Sequence, residues 1–489
     1  MTTEPRRTLR VAIVLPSGMA TRTFLDTHVA QLFAERDDLD VTFVTPHDSD
    51  DDRIAELGAR HLHWRPLRCP GAASGGDRGV RWQRRLRKGL LPWFHGWLGY
   101  GILAYRFNHI HGFAGHWQKR RMPFRRKLRE IGAGNFVFRF LGFPFPGSRL
   151  LYRALYRAYY SWVAPDRSVE AFMDELKPDV VVLTYLQYFG MRPYWIAARR
   201  RAIPIIGIVG SWDRPTTKGP LPPTLVRYVA LNQIMRRELI ELHGVSGDRI
   251  EVIGWPQMDQ YSDLSASPLR EPLVESAAIP SGDKLILYAG NSPRLVPHES
   301  DLVAHIAQAV KSGKYGPAVT LHVRPHPKDE EWRTRFEAHA EPPRITVEPP
   351  ERGNLKHLVG LLRRADVVIS TQGSVSLDAV AMGSCVVNVA FDGNVDVPPE
   401  LSIRQWYEMD HYRPVIESGG TRVVYDFDEL DAAIRAYLDD PTLDGRGREE
   451  LRRQILEPLD GRSGARLVEL IAAEARASGG AQCAHGGRP

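Results

Sequence analysis

At 489 residues the chain exceeds what a single hydrophobic core fills, so two large domains are expected. Its 43% hydrophobic content is ordinary for a soluble globular protein. Three widely spaced cysteines, Cys69, Cys385 and Cys483, exclude a disulfide framework or a zinc site and point to a reducing cytosol. The N-terminus has no apolar core of a signal peptide and runs straight into a strand. The net charge is +7, yet the stretch Arg78–Arg129 carries fourteen Lys and Arg and no Asp or Glu. Removing those fourteen charges leaves the rest of the chain at −7.

In chain order, L-R-V-A-I-V-L from Leu9 to Leu15 reads as a buried strand, followed by the Pro16–Thr21 loop. A helix over Arg22–Glu35 and a strand over Val41–Val44 complete a βαβ opening, with Asp50–Asp52 as a solvated loop. In a doubly wound α/β domain ligands sit beyond the strand C-termini, which places Ser17, Gly18 and Thr21 toward a cleft. The loop is not G-x-G-x-x-G, so it is no dinucleotide fingerprint. Asp26 and His28 are weaker candidates for a base, with helix surface as the plain alternative.

A Gly/Ser-rich break at Gly71–Gly79 opens a segment extending to Trp162 in which basic and aromatic residues interleave. Trp and Tyr flanked by Arg and Lys suit a segment lying on an anionic membrane surface, through residues 78–129. Helices inserted into the first domain, with their aromatic stems as core, are the other reading. No nucleic-acid module is recognisable, so nucleic acid is not expected as a partner.

Regular alternation resumes with strands over Val180–Thr184, Ile203–Val209, Leu225–Ala230 and Ile250–Ile253. After the second of these comes Ser211-Trp212-Asp213-Arg214-Pro215-Thr216-Thr217-Lys218. Its Trp212, Asp213 and Lys218 are acceptor-side candidates, and Asp213 is the candidate base; a turn Asp is the plain alternative. Ser262–Asp283, rich in Ser, Pro and acidic residues, reads as a linker.

The second domain opens with a strand Lys284–Ala289 and the turn Gly290–Arg294, where Asn291 and Arg294 could reach a ligand. A helix Glu299–Lys311 and a strand Val319–Val323 lead to Arg324-Pro325-His326-Pro327. Two prolines lock the backbone around His326, so an Arg and a His stand rigidly at a strand end, a fitting diphosphate clamp. A strand Ile345–Val347, a helix Leu355–Arg364 and a strand Val367–Ile369 follow. The last of these stops in Ser370-Thr371-Gln372-Gly373-Ser374, which feeds a helix Val375–Met382. N–H groups at Gly373, Ser374 and Val375 suit a phosphate, and Asp378, one turn in, suits a ribose hydroxyl. An ordinary crossover with a Ser cap is the alternative. Strands at Cys385–Val389 and Val423–Tyr425 follow, with His411 between them as a further acceptor-side candidate. Helices at Asp428–Leu438, Gly447–Ile455 and Gly464–Arg476 close the domain, and the last eleven residues read as disordered. No H-E-x-x-H, C-x-x-C, Walker sequence or strand-flanked D-x-D calls for a metal or ATP.

Several of these motifs together resemble the GT-B nucleotide-sugar glycosyltransferases. Arg324-Pro325-His326-Pro327 is similar to the H-P motif of bacterial capsule and teichoic-acid transferases, and Ser370-Thr371 to their S-S/S-T motif. Asp378 falls where GT-B enzymes and the related UDP-GlcNAc 2-epimerases place a Glu on the ribose. Ile253–Asp259 resembles their V-x-G-x-P-x-x-D, Asp460-Gly461-Arg462 their D-G-[KR], and Ser211-Trp212-Asp213 the S-W-D of surface-carbohydrate transferases. The match runs from about Asp179 to Arg476; the Asp in place of Glu and Thr371 in place of the second Ser leave UDP, CDP, CMP and GDP open.

The resemblance implies an α/β protein of two Rossmann-like doubly wound domains facing a cleft, with a basic-aromatic helical insertion at about 71–162. The domains expected are 1–261 for the acceptor, a linker 262–283, 284–478 for the nucleotide sugar, and a tail 479–489. It implies metal-independent, cofactor-free sugar transfer from a nucleotide-sugar donor to a cell-envelope, lipid-linked or secondary-metabolite acceptor, by a cytoplasmic enzyme peripheral to the membrane. His326 and Asp213 would be catalytic; Asn291, Arg294, Arg324, His326, Ser370, Thr371, Gly373, Ser374, Val375 and Asp378 would bind the donor. A nucleotide-sugar 2-epimerase, a CDP-polyol phosphotransferase and a non-catalytic nucleotide-sugar or membrane-binding scaffold remain as alternatives.

Overall fold

Among the described residues, thirteen short strands of mostly β-branched and aliphatic residues form two parallel sheets, with helices in the connections between strands. The structure is a computed structural model and describes residues 7–16, 18–67, 166–186, 189–217, 221–222, 225–261, 282–293, 295–350, 355–397 and 402–485. The basic-aromatic segment, almost all of the linker, and the candidates Ser17, Lys218 and Arg294 lie outside these residues. The chain divides into two compact units: one takes its described residues up to Gln257 and again from Arg462, the other takes Met258–Gly461.

In the first unit β1 (Leu9–Val14), β2 (Leu39–Thr45), β3 (Leu62–Pro66), β4 (Val180–Leu183), β5 (Ile205–Ile208), β6 (Arg227–Ala230) and β7 (Ile250–Val252) run in the order β3-β2-β1-β4-β5-β6-β7. All neighbours are parallel, for example Val11 beside both Val41 and Val180. The order reverses between β1 and β4, the switch point of a doubly wound sheet. β3 was not foreseen: only Leu62 of its five side chains is buried, so no apolar run marks it, and Pro66 is tolerated because the strand is an edge.

The helix expected over Arg22–Glu35 is two, Gly18–Leu25 and Val29–Ala34. Thr27 breaks it: its hydroxyl donates to the Thr23 carbonyl (2.7 Å) and accepts from the Val29 amide (3.2 Å), offering the backbone a local alternative. The acidic run expected as a loop is the first turn of a helix, Ser49–Ala55, where carboxylates complement the positive end of the dipole. Asp50 is buried and pairs with Arg53 at 3.3 Å.

In the second unit β8 (Lys284–Ala289), β9 (Val319–Arg324), β10 (Ile345–Val347), β11 (Val367–Ser370), β12 (Cys385–Val389) and β13 (Arg422–Val424) follow the order β10-β9-β8-β11-β12-β13. Here the switch point falls between β8 and β11, paired from Val367 beside Ile286 to Ser370 beside Ala289.

The last helix, Ser463–His485, overturns two expectations. It runs past Arg476 into the tail expected to be disordered, and it belongs to the first unit. Leu467, Val468, Ile471, Ala472 and Ala475, spaced at three and four residues, lie in one core with β1, β2 and β4 residues such as Val11, Phe43 and Val182. At the other boundary Met258–Tyr261 goes with the second unit, a few residues earlier than expected. Among the described residues no helix is long and apolar enough to cross a membrane.

Candidate functional site

Three turns leave the C-terminal edge of the second sheet side by side, after β8, β9 and β11. The turn after β8 approaches the one after β9 closely. Gly290 N–H donates to the Arg324 carbonyl at 2.8 Å, and a Cβ on Gly290 would stand 3.3 Å from that oxygen and 3.4 Å from Pro325 Cα. A glycine therefore fits there without displacing the clamp. Across the switch point, Asn291 Nδ2 donates to Thr371 Oγ1 (3.1 Å) and to the Gln372 carbonyl (2.6 Å). Asn291, Arg324, His326 and Thr371 are thus brought to one crevice, where ligands of doubly wound sheets are held.

Arg324 is half-buried, and its Nε lies 3.1 Å from Glu348 Oε1. Glu348 is in turn held by His357 Nε2 (2.6 Å) and His322 Nε2 (3.2 Å), whose Nδ1 meets Thr346 Oγ1 at 2.8 Å. Burial by itself would raise the pKa of Glu348; the hydrogen bonds from the two histidines overcome it and hold the carboxyl at about 2. The guanidinium of the clamp is anchored by a carboxylate that stays ionised.

His326 differs in charge state. Burial first, then Lys328, lowers its pKa below the ordinary histidine value, so the ring is neutral at pH 7. Its Nδ1 accepts the Lys328 amide at 3.1 Å, which puts the ring proton on Nε2. His326 is a neutral donor beside a permanently charged Arg.

The turn after β11 serves partly at one remove. Ser370 and Thr371 are 1% and 0% exposed, and Ser370 Oγ donates to the Thr371 carbonyl at 2.9 Å. Their hydroxyls hold the loop; its outer rim is Gly373, Ser374 and Val375. The following helix, Val375–Ala381, is seven residues long, and Ser374 makes no side-chain cap bond. Gly373 N–H donates to the Tyr412 hydroxyl at 3.4 Å, and Ser376 Oγ donates to Asn388 Oδ1 at 2.6 Å. His411 therefore sits with the second unit, next to the residue that touches this turn. Asp378 is 3% exposed, and its Oδ1 accepts the Tyr261 hydroxyl at 2.9 Å.

Beneath the turns is a group of ions that no motif announced. Glu299, wholly buried at the start of the helix Glu299–Lys311, accepts the Asn291 amide at 2.9 Å on each oxygen and Arg335 at 3.0 Å. Arg335 also pairs with buried Asp329. Nothing in the sequence separated these from surface charges except that Glu299 opens a helix below a strand end. Among the described residues no group of three His, Cys, Asp or Glu side chains is placed to hold a metal ion.

In the first unit Trp212 and Arg214, both buried, follow β5. The Arg214 guanidinium lies over the Tyr185 ring, 3.3 Å from its centroid, and Tyr185 follows β4. Gly210 admits this, since a Cβ there would meet the Tyr185 ring at 2.6 Å. Ser211 Oγ donates to Asp213 Oδ1. Gly18 and Thr21 begin the helix after β1, two strands from β5. Of the two other base candidates, Asp26 is ion-paired to Arg53 and His28 leads into the helix Val29–Ala34.

No family model matches the chain, and no curated protein matches its sequence. Solved structures do. UDP-GlcNAc 2-epimerase from Neisseria meningitidis, bound to UDP-GlcNAc, aligns with a TM-score of 0.51 and 11% identity over 95% of this chain and 100% of its own. UDP-GlcNAc 2-epimerase from Methanocaldococcus jannaschii aligns with 0.50 and 13% over 95% and 100%. At such identities the likeness shows the fold, two doubly wound α/β units of the GT-B type, and leaves the reaction open. A glycosyltransferase from Rickettsia africae ESF-5 also aligns, with a TM-score of 0.48 and 11% identity over 95% and 99%.

Proposed function

We propose that this chain is a glycosyltransferase that moves a sugar from a nucleotide-sugar donor to a glycan, lipid-linked or small-molecule acceptor. The observation that carries the reading is the meeting of the Gly290–Asn291, Arg324–Pro327 and Thr371–Gly373 turns at the switch point of the second sheet. The donor diphosphate lies there, with Arg324 supplying charge and His326 Nε2–H a neutral hydrogen bond. Asp378, with Tyr261 on one of its oxygens, marks the ribose end. The bond from the anomeric carbon to the diphosphate oxygen breaks, its electron pair leaving on the diphosphate. The acceptor hydroxyl oxygen forms the new bond, and its proton passes to a carboxylate of the acceptor-binding unit, for which Asp213 is the candidate. Charge growing on the leaving group is met by donors fixed before it arrives. The basic, aromatic stretch Arg78–Arg129 supports delivery of the acceptor at an anionic membrane surface.

A nucleotide-sugar 2-epimerase is the second reading, favoured by the likeness to UDP-GlcNAc 2-epimerases. The two separate in one assay: the protein is incubated with UDP-, CDP- and GDP-sugars, with and without membrane extract, and followed by NMR and nucleotide release. Nucleoside diphosphate released in step with glycosylated acceptor supports transfer. A new epimer formed from free nucleotide sugar, without acceptor, refutes it.

A further inference from the structure

The buried ions beneath the crevice do more than balance charge. Arg335, 7% exposed, is already paired with Asp329, so a second buried carboxylate is surplus for neutrality and costly to bury. Glu299 spends its acceptor capacity on the loops above. Its two oxygens share the Asn291 amide at 2.9 Å, Oε1 faces the Thr371 hydroxyl at 3.5 Å, and Asn291 Nδ2 joins that same hydroxyl at 3.1 Å. Tyr288 hydroxyl donates to Oε1 at 3.2 Å from the strand below. Arg335 Nη2 reaches both Glu299 and the Val296 carbonyl at 3.0 Å, while its partner Asp329 donates its amide to the His326 carbonyl at 2.8 Å. One carboxylate thus ties the turns after β8 and β11, and through Arg335 the turn after β9.

We propose that Glu299 is a positioning residue for the donor: it fixes the separation of the turns after β8 and β11 so that their outer atoms match a diphosphate. This rests on the reading of the second unit as a nucleotide-sugar site. Glu299 does not touch the donor; it acts through Asn291 and Thr371. Thr371 is 0% exposed, so a change there reaches the donor only through the turn.

The test is calorimetric titration of the full chain with UDP, CDP and GDP, at a temperature where circular dichroism shows each variant folded. Wild type binds at least one of the three; E299Q and Thr371→Val each raise its Kd about tenfold, the equivalent of one hydrogen bond. The double variant is no worse than E299Q, because both residues act along one path. A Kd for E299Q within twofold of wild type overturns the proposal, as does a double variant whose losses multiply. Should E299Q not fold, Thr371→Val decides alone: a tenfold rise supports the proposal and unchanged affinity overturns it. Wild type that binds none of the three nucleotides refutes the nucleoside-diphosphate site itself, and the proposal falls with it.

Discussion

Glu299 gives the most quantitative test of how the second unit is built. It is fully buried, and burial raises its pKa from 4.5 to about 7 against the lowering pull of Arg335, the Asn291 amide and the Tyr288 hydroxyl. Arg335 and Tyr288 are the charged and titratable groups bonded to it, Tyr407 lies within electrostatic reach, and burial raises both tyrosines well above their usual range. An acid whose folded pKa exceeds its unfolded one binds its proton more tightly when folded. Its contribution to stability is therefore fully present below about pH 4.5 and is lost as the pH rises through about 7. A shift from 4.5 to about 7, at about 1.4 kcal/mol per pH unit, makes the loss about 3 kcal/mol. Replacing Glu299 by Gln keeps the volume and removes the titration. Urea unfolding of wild type and E299Q, measured in half-unit steps from pH 4.5 to 8, isolates the group as the difference between two curves. E299Q should gain relative to wild type by about 3 kcal/mol across that range, most of it between pH 5 and 7. A difference that stays flat within about 0.5 kcal/mol refutes the reasoning, since the carboxyl would then titrate alike in both states.

Removing the clamp should separate charge from hydrogen bonding. Arg324→Ala is expected to weaken binding of the preferred nucleoside diphosphate about a hundredfold and His326→Ala about tenfold, read by calorimetry, with the His326 effect unchanged between pH 7 and 8 because the ring is neutral there. Glu348 has its folded pKa depressed to about 2, so its contribution is present above about pH 4.5 and lost as the pH falls toward 2. E348Q should cost about 2–3 kcal/mol in urea unfolding at pH 7; a variant as stable as wild type would mean the two histidines and Arg324 do not depend on it. In the last helix Ile471→Ala should destabilise the first unit by about 2–5 kcal/mol, seen as a lower-melting transition, whereas an unchanged transition would place that helix outside the first core.

How much of this was legible in the sequence depends on the range of the interaction. Strands buried on both faces write themselves as near-continuous apolar runs, so β8 and β12 begin and end where the pattern does. The helices Glu299–Lys311 and Leu355–Arg364 were equally plain. β3 was not, because an edge strand with one buried side chain carries no run, and the break at Thr27 turns on a single hydroxyl. The amphipathic face of the last helix was visible, but a stripe of apolar residues does not say which sheet it covers. At the site, R-P-H-P and S-T-Q-G-S could be read because they end strands. Glu299 and Arg335 could not: they meet across 36 residues, and Asn291 meets Thr371 across 80. Local pattern carries no trace of such pairings.

Both sheets are wound in the same order, so each offers a switch point, and topology alone does not distinguish their tasks. The difference lies in what the loops bring. At the first, Thr184 Oγ1 closes on the Val14 carbonyl at 2.7 Å, and the neighbouring turn offers an aromatic ring capped by a guanidinium. Both groups are buried and engaged within the unit itself. At the second, the turns bring an anchored Arg and a neutral His, over carboxylates that face inward. The acidic groups below are committed to a loop amide, hydroxyls and a buried cation, the arrangement on which the proposed anion site rests. The loop sequences, laid on one repeated scaffold, are where the two units differ.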